Sequence, residues 1–303
     1  MRLLDARLPD WRSEVRTRLN QLLLDRGVSS AGFDATKRPI AVFDWDNTIL
    51  KNDIGDATLF WMLQHDKVLQ PAGRDWATTS ANLTAAAKSV LNAACDSLAV
   101  PGAALPTSTS SACSDAIFHV YYNAKTPPSD GAQAAWAPEI TTTMNSPYAW
   151  VAQLQAGYSP DEIRAMARSA YLENAFAPIG ATQTVGSTTT VTGYVRIYDQ
   201  IRDLMGALKD NGFEVWILTA SPQFVVDAIS FEVGVPMDHV IGIRTTVVSG
   251  KTTASLQGCG NVADGANTLI TFDEGKRCWI NKVIYREPAG SQAGTNADPA
   301  QRP

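Results

Sequence analysis

The chain has 303 residues, with 25 Lys+Arg against 30 Asp+Glu and a formal net charge of −5. At roughly 150 residues per domain that length predicts two domains, or one large domain carrying an insertion. Scattered charge of acidic balance argues against a nucleic-acid binder and a polybasic membrane anchor. A 45% hydrophobic and 18% charged composition argues against disorder, and the lack of any run of about 18 apolar residues argues against a membrane span.

The opening MRLLDARLPDW holds no long apolar stretch, so no signal peptide is predicted within the chain. Residues 10–27 read as an amphipathic helix, with Trp11, Val15, Leu19, Leu22 and Leu23 at helical spacing and Gly27 as its stop. The run 39–43 (PIAVF) is continuously apolar and ends at Asp44, which predicts a strand buried on both faces, as in a parallel sheet under helices. A helical period resumes over 53–69.

From about 70 to 193 the composition shifts to Ala, Ser, Thr and Pro, with helical patches alternating with looser stretches. Trp76, Trp136, Trp150, Tyr121, Tyr122 and Tyr148 recur through this segment, so it reads as a helical insertion and not as a linker. A helix is predicted over 194–209 and a second buried strand over 213–218 ending at Thr219. The next helix starts with Ser221 as N-cap and Pro222 in its first turn. Segments 240–249 and 268–272 read as two strands, with a hairpin as one arrangement, and EGKRCWINKVIY turns into a helix. Strand–helix alternation around a helical insert predicts an α/β doubly wound core with a cap.

Cys95 and Cys113 flank one irregular segment, and Cys259 and Cys278 flank another; neither pair has zinc-site spacing. Two disulfides would suit an oxidising compartment, periplasmic or secreted where a leader precedes the chain. Four free thiols would suit the cytoplasm.

The chemistry concentrates at Asp44-Trp45-Asp46-Asn47-Thr48, directly after the first buried strand. Ligands of open α/β sheets sit at the carboxyl ends of strands. A carboxylate there can attack phosphorus, a second one two residues on can give and take a proton, and Thr48 can hydrogen-bond a phosphoryl oxygen. The same residues would also make an inert Asx turn. Thr219 and Ser221, after the second strand, offer hydroxyls beside a helix N-terminus, an anion-binding arrangement, although Ser221 would cap the helix in any case. Lys276 supplies a cation able to offset charge beside two carboxylates, with Lys282 as the second candidate; a solvated surface lysine is the other reading. Two carboxylates facing a phosphate call for a cation, and Mg²⁺ fits. His65, His119 and His239 share no ligand spacing, and no GxSxG, GxxxxGK[ST] or GxGxxG run occurs.

In this order the pieces resemble the haloacid dehalogenase-like (HAD) hydrolase superfamily. The wording AVFDWDNT, DIGDATLFW, FEVWILTASPQ and EGKRCWINK looks like its phosphorylcholine and phosphoserine phosphatases. The resemblance covers 12–69 and 194–285. It implies a Rossmann-like core of residues 1–69 and 194–303 with a helical C1 cap, 70–193, inserted after the first core strand. It further implies Asp44 as nucleophile, Asp46 as acid/base, Thr48 and Thr219 as phosphate contacts and Lys276 as charge partner. Mg²⁺ would sit on Asp44 and on Asp46 through its main-chain carbonyl. An acid at position 46 points within the superfamily to a phosphatase acting on a small-molecule phosphomonoester.

One departure stands out. The family's last acidic motif follows a strand after the lysine, whereas here Asp273-Glu274 precedes Lys276 and Asp298 has no strand before it. The resemblance implies a core incomplete at its C-terminal end, and an extended chain is expected to add a strand and a GDxxxD run. For the substrate, Asp53 and Asp56 with the cap aromatics would suit a trimethylammonium group, which makes phosphorylcholine a candidate. The same residues could instead be a solvated helix start and cap core. Two functions follow: an Mg²⁺-dependent phosphatase working through an aspartyl-phosphate, or a non-catalytic phosphate-binding protein or inactive truncated fragment.

Overall fold

The computed structural model describes residues 1–139 and 141–287. Helix α1 (Ser13–Arg26) leads to strand β1 (Ile40–Phe43), the two-residue β2 (Leu50–Lys51) and helix α2 (Ile54–Gln64). Helices α3 (Ala85–Cys95), α4 (Ser111–Tyr122), α5 (Ser146–Gln153) and α6 (Pro160–Phe176) follow, then strands β3 (Thr182–Val185), β4 (Thr188–Thr192) and β5 (Arg196–Ile197). The chain continues through α7 (Asp199–Asp210), β6 (Glu214–Pro222), α8 (Gln223–Asp227), β7 (Val240–Ile243), β8 (Thr245–Val248), β9 (Lys251–Leu256) and α9 (Gly275–Trp279).

The molecule is a mixed α/β structure organised on a parallel sheet in the order β1-β6-β7. β1 runs beside β6 with Ile40 opposite Glu214 and Phe43 opposite Ile217. Side chains alternate across β6 as strand geometry demands: Val215 and Ile217 enter the large apolar cluster, while Trp216 and Leu218 enter a second one. That second cluster, with Ile241, Leu269, Cys278 and Trp279, seats α9 on the opposite face. The apolar run 39–43 does form a strand, but it is not buried on both faces: Val42 is 38% exposed. The reason is position, since β1 lies at the edge of the described sheet and pairs with β6 alone.

Residues 70–193 hold four of the helices and also a hairpin, β3–β4, which composition alone did not distinguish from loose chain. Their aromatic core is Trp76, Trp136 and Trp150, with ring centroids 6.2 Å apart for Trp76–Trp150 and 5.4 Å for Trp136–Trp150. The chain enters and leaves this region side by side, because β2 pairs antiparallel with β5 and the Tyr198 amide donates to the Ile49 carbonyl at 3.0 Å. The helix predicted over 194–209 therefore starts only at Asp199; its first residues are held extended by β2. α2 packs chiefly on α6.

Both cysteine pairs are disulfides. Cys95–Cys113 ties α3 to α4, and Cys259–Cys278 ties the loop after β9 to α9. Segment 240–249 divides into β7 and β8, and the hairpin partner of β8 is β9. Residues 268–272 form no strand; the Ile270 amide makes a single main-chain bond to the Thr143 carbonyl at 2.9 Å, too little for a ladder. No helix of the described residues is long and apolar enough to cross a membrane.

Candidate functional site

The carboxyl ends of β1 and β6 open into a cleft of about 560 Å³. Its walls bring together Asp44, Asp46, Thr219, Ser221 and Lys276 from three distant parts of the chain. Asp44 leaves β1 directly. The chain then turns so tightly that the Thr48, Ile49 and Leu50 amides all point at the Trp45 carbonyl, at 3.2, 2.8 and 3.0 Å. Asn47 takes a left-handed φ of 56°, a conformation Asn tolerates better than most side chains. This turn swings Asp46 back over the sheet end. Thr48 is the exception among the predicted residues, for it is not part of the cleft wall.

Asp46 is held from two sides. Oδ1 accepts the Ile54 amide at 2.8 Å, and Oδ2 accepts the Ser221 hydroxyl at 2.7 Å and that of Thr219 at 3.4 Å. The first of these is a free amide of the opening turn of α2, where the helix dipole favours an acidic partner. Burial nonetheless dominates: with Asp53 and Asp44 close by, it pushes the Asp46 carboxyl well above the usual carboxylate range. Ser221 differs from expectation. It belongs to β6, which runs on to Pro222, and α8 starts at Gln223 and spans only five residues. The hydroxyl that would have capped a helix is engaged on Asp46 instead.

Asp44 pairs with Lys276, whose Nζ lies 2.9 Å from Oδ1 across 232 residues of sequence. The Lys276 side chain is 28% exposed and that of Asp44 42%, so the pair contributes only about 0–1 kcal/mol. Lys282, the other candidate, is elsewhere: its ammonium donates to the Gly258 carbonyl at 2.8 Å and lies over the Trp279 ring. Asp273, set aside in the sequence because it precedes the lysine, lines the cleft beside Phe272. Asp298 lies outside the described residues.

The facing wall comes from α2, α4 and α5 and carries Asp53, Gly55, Tyr121, Tyr148 and Val151. Asp53 caps α2, accepting the Asp56 amide at 3.0 Å, and burial raises its carboxyl. Asp56 lines a smaller neighbouring pocket with Phe60, Tyr122 and Tyr194. It accepts the Tyr121 hydroxyl at 2.5 Å, and burial together with Asp53 lifts its carboxyl to about 8. Tyr148 meets Phe272 edge-on at 5.9 Å across the cleft. Of the insert's aromatics, the three tryptophans are core, whereas Tyr121 and Tyr148 face the cleft. Exposure at the cleft could not be read from composition, but position one helical turn after a cap could have drawn attention to Tyr148, which follows Asn145.

Asp44, Asp273 and the main chain at Asp46 are the hard oxygen donors that a water-retaining dication takes. Both side-chain oxygens of Asp46 already accept hydrogen bonds, which turns any metal contact there to the main-chain carbonyl. Among the described residues no three His, Cys, Asp or Glu side chains are grouped as a metal site.

No family model and no curated protein matches the chain. Among solved structures, it is similar to a conserved protein of unknown function from Anaerococcus prevotii DSM 20548, with a TM-score of 0.66 and 19% identity over 94% of this chain and 79% of that one. A protein of unknown function from Bordetella pertussis Tohama I aligns with a TM-score of 0.45 and 17% identity, over 82% of this chain and 74% of that one. The first likeness is one of fold.

Proposed function

We propose that the chain is an Mg²⁺-dependent phosphomonoester hydrolase of the HAD type, with residues 1–69 and 194–303 as its Rossmann-like core and 70–193 as a helical cap. The observation that carries this reading is the meeting of Asp44, Asp46 and Lys276 at the strand ends, with Lys276 on Asp44 at 2.9 Å and Ser221 on Asp46 at 2.7 Å.

Asp44 Oδ attacks phosphorus while the ester P–O bond breaks, and Asp46, kept protonated by burial, gives its proton to the leaving alkoxide. Water then attacks the phosphorus of the aspartyl-phosphate, Asp46 takes the proton, and the bond to Asp44 breaks to release phosphate. Lys276 and the Thr219 hydroxyl offset the phosphoryl charge. Mg²⁺, held by Asp44 and the Asp46 carbonyl with Asp273 in reach of its waters, would supply further charge neutralisation.

For the leaving group, the facing wall favours a cation: Asp53 places a carboxyl beside the Tyr121 and Tyr148 rings, and phosphorylcholine is the substrate of choice. The test is phosphate release with Mg²⁺ from phosphorylcholine, phosphoethanolamine and phosphoserine, with Asp44→Asn as control. Hydrolysis that disappears in Asp44→Asn supports the reading; hydrolysis that survives it defeats it, and equal rates on the three substrates remove the cationic subsite. Phosphate binding without hydrolysis is the second reading, favoured by the two-carboxylate donor set, and it would show as binding with no turnover.

A further inference from the structure

Lys276 reaches Asp44 from α9, whose five residues run straight on into a π-helical turn, Ile280–Ile284, a helical segment of about three turns. A segment that short does not hold its own conformation in water. The partly exposed ion pair is too weak to fix it, so something else must. Three contacts do. Cys278 is joined to Cys259, and both are almost fully buried. The buried Trp279 ring is met by the Arg244 guanidinium, 5.3 Å from its centroid, and by the Lys282 ammonium at 4.8 Å. At Gly275 a β-carbon would stand 2.0 Å from the Ile270 carbonyl oxygen, so the backbone sits hard against the preceding segment.

Arg244 carries the connection further. Its Nε donates to Gln223 Oε1 at 3.1 Å, the oxygen that also accepts the Gly242 amide at 2.8 Å, and Gln223 Nε2 donates to the Val240 carbonyl at 3.0 Å. Gln223 lies two residues beyond Ser221, which holds Asp46. The lysine side and the Asp46 side of the cleft are therefore braced on one arginine.

We propose that Arg244 and the Cys259–Cys278 disulfide are positioning residues for Lys276: they fix α9 so that its ammonium meets Asp44, and Arg244 gives that placement the same frame as Ser221 and Asp46. The consequence for turnover rests on the phosphatase reading; the positioning does not.

The test is competitive labelling of lysine amines followed by mass spectrometry, with the exposed Lys37 as internal reference. In the paired variant Cys259→Ser/Cys278→Ser, and separately in Arg244→Ala with the disulfide intact, labelling of Lys276 relative to Lys37 should rise about three- to fivefold, the factor that corresponds to losing a partly exposed ion pair. Arg244→Lys, which keeps a cation on the Trp279 face, should recover part of that protection. Circular dichroism shows whether the cysteine variant folds; if it does not, Arg244→Ala and Arg244→Lys decide. Unchanged Lys276 labelling in folded Arg244→Ala overturns the proposal whatever hydrolysis does. Raised labelling with kcat lowered at constant KM supports both readings. Raised labelling with no hydrolysis in the unaltered chain upholds the positioning and removes the phosphatase.

Discussion

The two walls of the cleft handle carboxyl groups in opposite ways. On the sheet side, Asp44 faces a lysine and Asp46 accepts an amide and a hydroxyl. On the insert side, Asp53 is met by the amides of α2, and Asp56, in the adjoining pocket, by a tyrosine hydroxyl, with no cation against either among the described residues. Burial raises Asp46, Asp53 and Asp56 alike, but among the described residues a carboxylate paired with a lysine stands on the sheet side. On the proposed reading the difference separates chemistry from recognition: the sheet wall would transfer a group, and the insert wall would accept a ligand that brings its own positive charge.

The sharpest way to break that division is Asp46→Asn, which keeps the shape and one acceptor oxygen for the Ile54 amide, turns an NH2 toward the Ser221 oxygen, and removes the transferable proton. On this account kcat falls about 10²–10⁴-fold, the usual worth of a positioned acid/base, with KM little changed. Steady-state kinetics should show the larger loss on phosphorylcholine, whose alkoxide needs the proton, and a smaller one on p-nitrophenyl phosphate, whose phenolate leaves without it. A loss on phosphorylcholine that appears in KM, with kcat unchanged, would move Asp46 to the recognition side.

A smaller effect belongs to the facing wall. Tyr121→Phe removes the hydroxyl that bonds Asp56 and leaves the ring, while Asp53→Asn removes a charge and retains the α2 cap. For Asp53→Asn, kcat/KM on phosphorylcholine should drop about 5- to 30-fold, as for loss of one or two kcal/mol of cation recognition, and p-nitrophenyl phosphate should be hydrolysed as before. Equal losses on both would place Asp53 in the chemistry and erase the contrast between the walls.

Smaller again is the pH dependence of stability. Asp56 titrates near pH 8 in the folded chain and near 3.9 in an unfolded one. The folded state thus holds the proton more tightly, and stability falls as pH rises between those two values. Thermal unfolding at pH 6 and pH 9 should give the lower midpoint at pH 9, and Asp56→Asn should reduce that drop. An undiminished drop in the variant would show that another group controls it.

How far these walls could be read from the sequence follows from the range of the contacts that build them. The apolar run before Asp44 and the one before Thr219 announce themselves locally, because a continuous apolar stretch ended by a polar residue needs no partner to be recognised. The helix after Asp53 is likewise visible in its cap and period. Ser221 was readable only as far as its hydroxyl: capping a helix and donating to Asp46 require the same residue type, and the choice is made by Asp46 from 175 positions away. Asp273 was set aside for preceding Lys276, yet chain order says nothing of which loops end at one strand edge, and it lines the cleft. The run 268–272 misled because Leu269 is buried against Trp216 and Ile241, and Ile270 against Met144 and Ile243, without a ladder to pair with.

The smallest effect is expected where the two walls touch, at Gly55. A β-carbon there would lie 3.0 Å from Ser221 Oγ and 3.1 Å from Asp53 Oδ1, tighter than ordinary contact with one oxygen from each wall. Ala favours the helix by about 1 kcal/mol over Gly, so Gly55→Ala should change thermal stability little, the gain opposing the crowding. The hydroxyl can yield by rotating, and in doing so it leaves Asp46. Since that hydrogen bond pulls the Asp46 carboxyl down against burial, its loss pushes the carboxyl higher still. An acid that must be protonated to act then stays active to higher pH, so the alkaline limb of kcat should move upward. A shift in the alkaline limb with the acidic limb unmoved would mark Asp46 as the group affected. A profile identical to that of the unaltered chain would mean that Ser221 keeps its bond and that Asp53 yields instead, which would show as weaker discrimination for phosphorylcholine.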